Sequence, residues 1–168
     1  SENYRGKLSE NIIFQNFSKK KIFASNIKIY EDLRNDFHKA KFIGYVNPFH
    51  PYKTLKYKYH NKLDDYLETI FEISKLFDHF YDFSIPSELT KNNYNTYDGA
   101  HYYEHVYDKF IEIVFNKNLL NYNFGIKVTN EKNYINKYNF EVNKFVEELL
   151  KKSRLFIELS KKNNAFGY

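Results

Sequence analysis

The sequence of 168 residues contains no cysteine, no methionine and no tryptophan, and only five glycines and three prolines. Without cysteine the chain can form neither disulfide bonds nor thiolate metal sites, and its redox compartment stays undecided. Because methionine is missing even at the first position, we expect the chain to be a processed or trimmed form. No run of about 18 apolar residues occurs, so the sequence predicts no membrane-spanning helix. No secretion signal is recognisable at the N-terminus.

Arginine is also scarce: the chain has only Arg5, Arg34 and Arg154, although its formal net charge is +5. Arginine is the residue expected for bidentate recognition of bases and phosphates. The lysines are scattered among Asn, Ile, Tyr and Phe, an excess that an A/T-rich coding bias explains. We therefore expect no nucleic-acid partner, despite the positive charge.

Hydrophobic periodicity predicts a single α/β domain over residues 1–168. A helix over about 25–39 precedes an apolar, strand-forming run at 42–46. A second helix over 62–80 has an apolar stripe at helical spacing and leads into a strand at 80–84. Helices that alternate with doubly buried strands are typical of parallel sheets. The pattern therefore predicts a three-layer fold, with a parallel sheet flanked by helices.

The remaining segments carry weaker signals. The aromatic and basic segment 52–60 has no clear period and is predicted to be an exposed loop. A short edge segment is expected at 125–128, and a long helix at 141–159 closes the domain. Residues 161–168 are expected to form a flexible tail.

One stretch, Asp98-Gly99-Ala100-His101, combines residues that acid–base chemistry requires and precedes a helical pattern running to about Phe115. Asp98 is placed to cap that helix, because its carboxylate can accept the free N–H groups of a first turn. Gly99 permits a tight turn and leaves His101 unobstructed. A histidine oriented by a carboxylate is the general base of serine-type acyl-transfer sites. The simpler interpretation is that Asp98 only caps the helix and that His101 is half exposed.

The elements around this motif resemble the C-terminal part of the SGNH (GDSL-like) hydrolases and acyltransferases. In that family a strand, a loop, an Asp-x-x-His motif and a helix follow one another, and residues 97–102, Tyr-Asp-Gly-Ala-His-Tyr, are similar to its last motif. Residues 42–51 resemble the strand and proline-containing loop that precede this motif in bacterial cell-surface members. The resemblance covers about residues 25–130 and implies the C-terminal portion of a flavodoxin-like fold. The loop 84–101 should then lie at the carboxyl edge of the sheet, beside the loop around Pro48.

The resemblance implies an esterase or O-acyltransferase for acyl esters of cell-envelope glycans, with His101 as general base and Asp98 orienting it. The family's Gly-Asp-Ser nucleophile motif and its oxyanion-hole motifs do not occur here, so the upstream half of the same protein would supply them. The implied location is the cell envelope, with membrane association in the full-length protein, and no cofactor or metal is implied. The available hydroxyls near plausible loops, none with motif support, are Ser18, Ser25, Ser84 and Ser87.

Three further side chains are candidates for binding the substrate. His50 follows the proline loop at a strand end, where open α/β sheets place ligands. The simpler interpretation of His50 is a solvated loop histidine. Tyr97 and Tyr102 could line a sugar-binding surface, because aromatic rings offer flat apolar faces with polar edges.

Two other hypotheses are compatible with the sequence. The chain could be a non-catalytic binding or structural domain that keeps the fold without the site. Alternatively, His101-Tyr102-Tyr103-Glu104-His105 matches the H-x-x-E-H pattern, in which two histidines on one helix bind zinc and the glutamate activates water. That pattern needs a third ligand, for which a downstream glutamate is the candidate.

Overall fold

The computed structural model describes residues 8–16, 27–115 and 124–166, and these segments contain seven α-helices and a three-stranded sheet. The helices are α1 (Ile27–Asp36), α2 (Pro51–Tyr59), α3 (Leu63–Ser74), α4 (Glu88–Lys91), α5 (Glu104–Phe115), α6 (Glu131–Lys152) and α7 (Arg154–Lys162). The strands are β1 (Ile43–Val46), β2 (His79–Asp82) and β3 (Ile126–Lys127). Two short 3-10 helices, Glu10–Phe14 and Asn93–Asn95, complete these elements.

The sheet has the strand order β1-β2-β3 and is mixed. β1 and β2 are parallel, with Ile43 opposite His79, whereas β3 runs antiparallel to β2, with Lys127 opposite Tyr81. The predicted α/β class and the pairing of the first two strands are confirmed. The three-layer, all-parallel flavodoxin-like sheet is not what the described residues form. The direction of a two-residue edge strand depends on its connection, which side-chain periodicity does not encode.

Side chains alternate across the sheet, and Phe80, Tyr81 and Asp82 of β2 are buried, whereas Ile43 and Tyr45 of β1 are exposed, so the expectation of doubly buried strands is confirmed for β2 alone. Phe80 belongs to the larger core, which is formed with buried side chains of α2, α3 and α6. Tyr81 and Phe83 belong to a smaller cluster with α5, in which the ring centroids of Phe83 and Phe110 are 4.1 Å apart. Gly44 allows the ring of Phe80 to pack closely against β1, because a β-carbon at position 44 would lie 2.6 Å from that ring.

Residues 51–59 form helix α2, so the exposed loop predicted over 52–60 is wrong. His50 caps this helix, because its Nδ1 accepts the N–H of Tyr52 at 3.3 Å, and Pro51 lies in the first turn. Tyr52, Leu55 and Tyr57 are all buried. A helix embedded on several sides lacks the one-sided stripe by which an amphipathic helix is recognised. The usable signal was Pro51, since proline is common at the first helical position.

Helix boundaries differ from the predictions at two other places. The helix predicted over 62–80 ends at Ser74, before β2 begins. The single helix predicted over 141–159 begins ten residues earlier, at Glu131, and is divided at Ser153 into α6 and α7. The hydroxyl of Ser153 accepts the N–H of Phe156 at 3.1 Å and so caps α7. None of the helices in the described segments is long and apolar enough to cross a membrane.

The C-terminal segment packs back onto the domain as far as it is described. α7 continues to Lys162, within the tail expected at 161–168. Ala165 is buried, and the ring of Phe166 contacts Phe14 and Phe156, with centroid distances of 6.3 and 5.5 Å. Residues 163–166 therefore contribute to the surface around α2.

Candidate active site

Asp98 and His101 form a hydrogen-bonded pair on the loop that precedes α5. Nδ1 of His101 lies 2.8 Å from Oδ2 of Asp98. Oδ1 of Asp98 accepts the backbone N–H groups of Ala100 and His101 at 2.9 and 2.8 Å. Hydrogen bonds lower the pKa of Asp98 to about 2; the largest effect comes from the N–H of Ala100, followed by the imidazole and then the N–H of His101. An ionised carboxylate only accepts hydrogen bonds, so the neutral imidazole carries its proton on Nδ1 and its lone pair on Nε2.

Asp98 caps a turn and not a helix. α5 begins at Glu104, so the expectation that Asp98 is its N-cap and that the helix starts near His101 is wrong. The carboxylate instead closes a local turn onto residues 100 and 101, as an Asx turn does. His101 therefore stands on a loop with its side chain 79% exposed, and no described residue bonds its Nε2.

Short hydrogen bonds fix this loop. The carbonyl of His101 accepts the N–H of Tyr97 and the hydroxyl of Thr96, both at 2.9 Å. The N–H of Gly99 donates to the Thr96 oxygen at 2.8 Å. Gly99 has a φ of +86°, and a β-carbon there would lie 2.7 Å from Leu8. Glycine is required at this turn, as expected, but the side chain for which it makes room is Leu8.

The loop lies beside the segment that follows β1. The N–H of His50 donates to the carbonyl of Gly99 at 2.6 Å. Because β1 and β2 are parallel, the segments 47–50 and 83–101 both leave the sheet from its carboxyl edge. The structure agrees with the expectation that the Asp98 loop is adjacent to the loop around Pro48.

The three candidate substrate-binding residues differ in their exposure. His50 is 3% exposed, and burial lowers the pKa of its imidazole to about 4, so it is neutral at pH 7. Tyr102 is also buried, and its hydroxyl donates to the carbonyl of Thr90 at 2.9 Å. Its ring thus belongs to the core beneath the loop. Tyr97 is 55% exposed and its ring contacts that of Tyr103, with centroids 4.0 Å apart.

Two clefts meet at His50. The first, of about 360 Å³, reaches residues 98–100 and has apolar walls that include Leu8, Tyr52 and Tyr57. Lys53 and Lys56 of α2 also line it. The second cleft, of about 390 Å³, is lined mainly by charged and polar side chains, among them Glu88, Lys91, Asn93, Glu148 and Lys152. The first cleft is therefore the apolar space next to the Asp98–His101 pair.

No serine hydroxyl within the described residues is hydrogen-bonded to His101. Ser84 and Ser87 are buried. Ser84 bonds to Asp82, and Ser87 caps α4 through Thr90. The other two candidates, at positions 18 and 25, lie outside the described residues. The part of the chain that the structure describes thus holds a histidine hydrogen-bonded to a carboxylate, with no serine hydroxyl bonded to that histidine.

The zinc hypothesis requires both histidines on one helix, and this arrangement is absent. His101 precedes α5 and is bonded to Asp98 through Nδ1. Nε2 of His105 lies 3.1 Å from Oδ1 of Asn95. Across residues 8–16, 27–115 and 124–166, no group of three His, Asp or Glu side chains is placed to hold a metal ion. The geometry gives the H-x-x-E-H pattern no support.

A buried polar network at the end of β2 was missed from the sequence. Oδ1 of the fully buried Asp82 accepts the N–H and the hydroxyl of Ser84, at 2.8 and 2.6 Å. Its Oδ2 accepts the hydroxyl of Tyr134 at 2.6 Å. The hydroxyls of Tyr138 and Tyr66 lie 3.0 and 3.1 Å from Oγ of Ser84. Burial raises the pKa of Asp82. The network ties α3 and α6 to the strand that leads into the Asp98 loop.

No protein-family model matches the chain, and no curated protein or solved structure is significantly similar to it.

Proposed function

We propose that this chain is the base-carrying C-terminal part of an SGNH-like esterase or O-acyltransferase for acyl esters of cell-envelope glycans. The observation that carries the proposal is the 2.8 Å contact between Asp98 and Nδ1 of His101, beside the segment that follows β1. An exposed imidazole held in one tautomer by an ionised carboxylate leaves Nε2 for proton transfer. The glycan substrate and the envelope location are proposed from the resemblance of residues 42–51 and 97–102 to cell-surface members.

In the proposed reaction, Nε2 of His101 removes the proton from a serine hydroxyl of the upstream half as the serine oxygen attacks the ester carbonyl. The tetrahedral intermediate then collapses, the ester C–O bond breaks, and the imidazolium returns the proton to the leaving alcohol. Asp98 keeps the ring oriented and stabilises the imidazolium between these steps. The acyl group then passes from the serine to water in an esterase, or to a second hydroxyl in a transferase.

The exposed edge of the sheet supports the proposed docking of the upstream half. Within the described residues β1 is an edge strand, and its Ile43 and Tyr45 are 37% and 55% exposed. α1, which precedes β1, buries no side chain and exposes Ile29 and Leu33. An unpaired strand edge flanked by apolar side chains is a template for another strand. We propose that the upstream half adds a parallel strand here and extends the structure to the flavodoxin-like, three-layer fold.

The apolar cleft beside residues 98–100 is the proposed place for the part of the substrate that carries the ester. Leu8, Tyr52 and Tyr57 offer apolar contacts there. Tyr97, on the outer side of the loop, is exposed and available to a sugar ring.

A longer form of the protein that includes the upstream region tests the proposal through its hydrolysis of an activated acetyl ester. His101→Ala should lower kcat by on the order of a thousandfold or more, because the general base is lost. Asp98→Asn should also lower kcat, because the neutral amide of asparagine is a weaker acceptor for the hydrogen bond from Nδ1 than a carboxylate is. His38→Ala is the matched control, because His38 is exposed and lies outside the pair.

The 168-residue chain alone should hydrolyse the ester no faster than a denatured control, since nucleophile and oxyanion donors must act together with the base. An active longer form in which His101→Ala leaves the rate unchanged would refute the site. A folded but inactive longer form would favour the alternative of a non-catalytic domain.

A further inference from the structure

A polar cleft of about 450 Å³ lies at the C-terminal end of α2, whereas the Asp98 loop contacts His50 at the opposite end of that helix. Its walls come from the turn between α2 and α3, from α6 and from the segment after α7. We call it the amide cleft and define it by Asn61, Asn139 and Asn164, together with Asp64, Tyr59 and Phe166.

The polar side chains of the amide cleft are available to a ligand. Among the described residues, Asn61, Asn139, Asn164 and Asp64 have no side-chain hydrogen-bond partner. Other asparagine side chains of the fold are hydrogen-bonded. Nδ2 of Asn163, for example, donates to the carbonyl of Leu159 at 2.7 Å. The cleft thus gathers three unengaged carboxamides from three separate parts of the chain.

The backbone around the amide cleft is unusual. Asn61, Asn164 and Phe166, with φ values of 54°, 49° and 54°, are the three non-glycine residues with positive φ in the described segments. The two asparagines directly follow the C-caps of α2 and α7, where a left-handed residue is common. Phe166 does not directly follow a helix C-cap, and a bulky residue rarely adopts a positive φ. Such outliers are concentrated at binding sites, and here the outlier forms the aromatic side of a cleft.

The chemistry of the lining excludes some classes of ligand and favours another. With one carboxylate, Asp64, and one ammonium group, Lys58, the cleft has too few charges of either sign for a metal ion or a phosphate group. A carboxamide both donates and accepts, which matches the hydroxyl groups of a sugar. The half-buried rings of Tyr59 and Phe166 add apolar surface for the C–H face of a sugar ring.

We propose that the amide cleft binds a neutral saccharide, at a site separate from the Asp98–His101 pair. Its three carboxamides bond the hydroxyl groups, and the aromatic side formed by Tyr59 and Phe166 contacts the ring. The site does not depend on the proposed acyl-transfer activity, because the two sites share no residue.

Titration of the 15N-labelled 168-residue chain with cellotetraose and, separately, chitotetraose tests this site by NMR. At least one sugar should cause saturable shifts in the side-chain amide signals of Asn61, Asn139 and Asn164. The double variant Asn61→Gly/Asn164→Gly removes two carboxamides while glycine keeps the left-handed backbone, so the fold is retained. Its affinity should fall by about tenfold or more, the loss expected for two hydrogen bonds to the ligand.

Asn143→Ala is the matched control, since Asn143 is exposed on the same helix as Asn139 and lies outside the cleft. This variant should bind the sugar as the wild-type chain does, whereas Asn139→Ala should bind more weakly. Absence of saturable shifts with both sugars would overturn the proposal. Unchanged affinity in the double glycine variant, or shifts confined to the Asp98 loop, would overturn it as well.

Discussion

Removal of one hydroxyl group from the buried network at the end of β2 should cause a pH-dependent loss of stability. The hydroxyl of Tyr134 donates to Oδ2 of Asp82 at 2.6 Å, and both side chains are buried. A hydrogen bond to a charged acceptor contributes about 1.5–3 kcal/mol, and an unpaired buried charge costs the desolvation of that group. At a pH above the folded pKa of Asp82 we therefore expect Tyr134→Phe to lower the free energy of unfolding by about 2–3 kcal/mol. For a domain of this size the melting temperature should fall by about 4–12 °C.

The pH dependence follows from the direction of the pKa shift of Asp82. Burial raises this pKa, so the folded chain holds the proton to a higher pH than the unfolded chain does. Protonation of Asp82 therefore stabilises the folded state. This contribution is fully present below the pKa of Asp82 in the unfolded chain, about 3.9, and is lost as the pH rises through the pKa of Asp82 in the folded chain. The bond from Tyr134 opposes the shift, because it favours the ionised form. The cost of Tyr134→Phe should therefore grow as the pH is raised through the folded pKa of Asp82.

Tyr138→Phe is the matched control for this experiment. Tyr138 is equally buried, but its hydroxyl bonds to neutral partners, the carbonyl and hydroxyl of Ser84 and the hydroxyl of Thr54. Its removal should cost about 1 kcal/mol, with little change between pH 4 and pH 7. Urea unfolding of both variants and of the wild-type chain, followed by circular dichroism across this range, gives the comparison. A cost of Tyr134→Phe that does not grow as the pH is raised, or that is never larger than the cost of Tyr138→Phe, would refute the inference that Asp82 accepts this bond as a carboxylate.

Two glycine substitutions test the packing around the site. Gly99→Ala should cost about 1–3 kcal/mol of unfolding free energy and shift the NMR signals of His101, because φ is +86° and a β-carbon would lie 2.7 Å from Leu8. Unchanged urea unfolding and unchanged His101 signals would contradict this account of the turn. Gly44→Ala should also cost about 1–3 kcal/mol, because a β-carbon would lie 2.6 Å from Phe80 and 2.7 Å from Phe77, whose rings pack together. A melting temperature equal to that of the wild-type chain would show that these rings can yield.

The Asp98–His101 pair is determined by the sequence itself. Each hydrogen bond of the Asp98 carboxylate ends on a residue two or three positions along the chain. Such a motif needs only a turn, which Gly99 permits, and its spacing can be read before any tertiary contact is known. The same holds for the apolar runs of β1 and β2 and for the apolar stripe of α3, whose periods are local.

The local sequence pattern gives the wrong conformation where the surroundings of a segment decide how it folds. α2 was missed because neighbouring elements cover it on several sides, which removes the polar face from its pattern. The start of α5 was misplaced because Asp98 has two compatible uses, as a helix cap and as a turn residue, and propensity does not choose between them.

Only the tertiary structure brings together the polar groups that lie far apart in the sequence. Tyr66 is 18 residues from Ser84, and Tyr134 is 52 residues from Asp82. The amide cleft likewise joins the α2–α3 turn to α6 and to the segment after α7. Neither grouping leaves a spacing rule in the sequence, because the residues meet only after strands and helices have packed. The same packing buries Asp82, and a buried carboxyl group lowers the stability of the fold if its hydrogen-bond partners are removed.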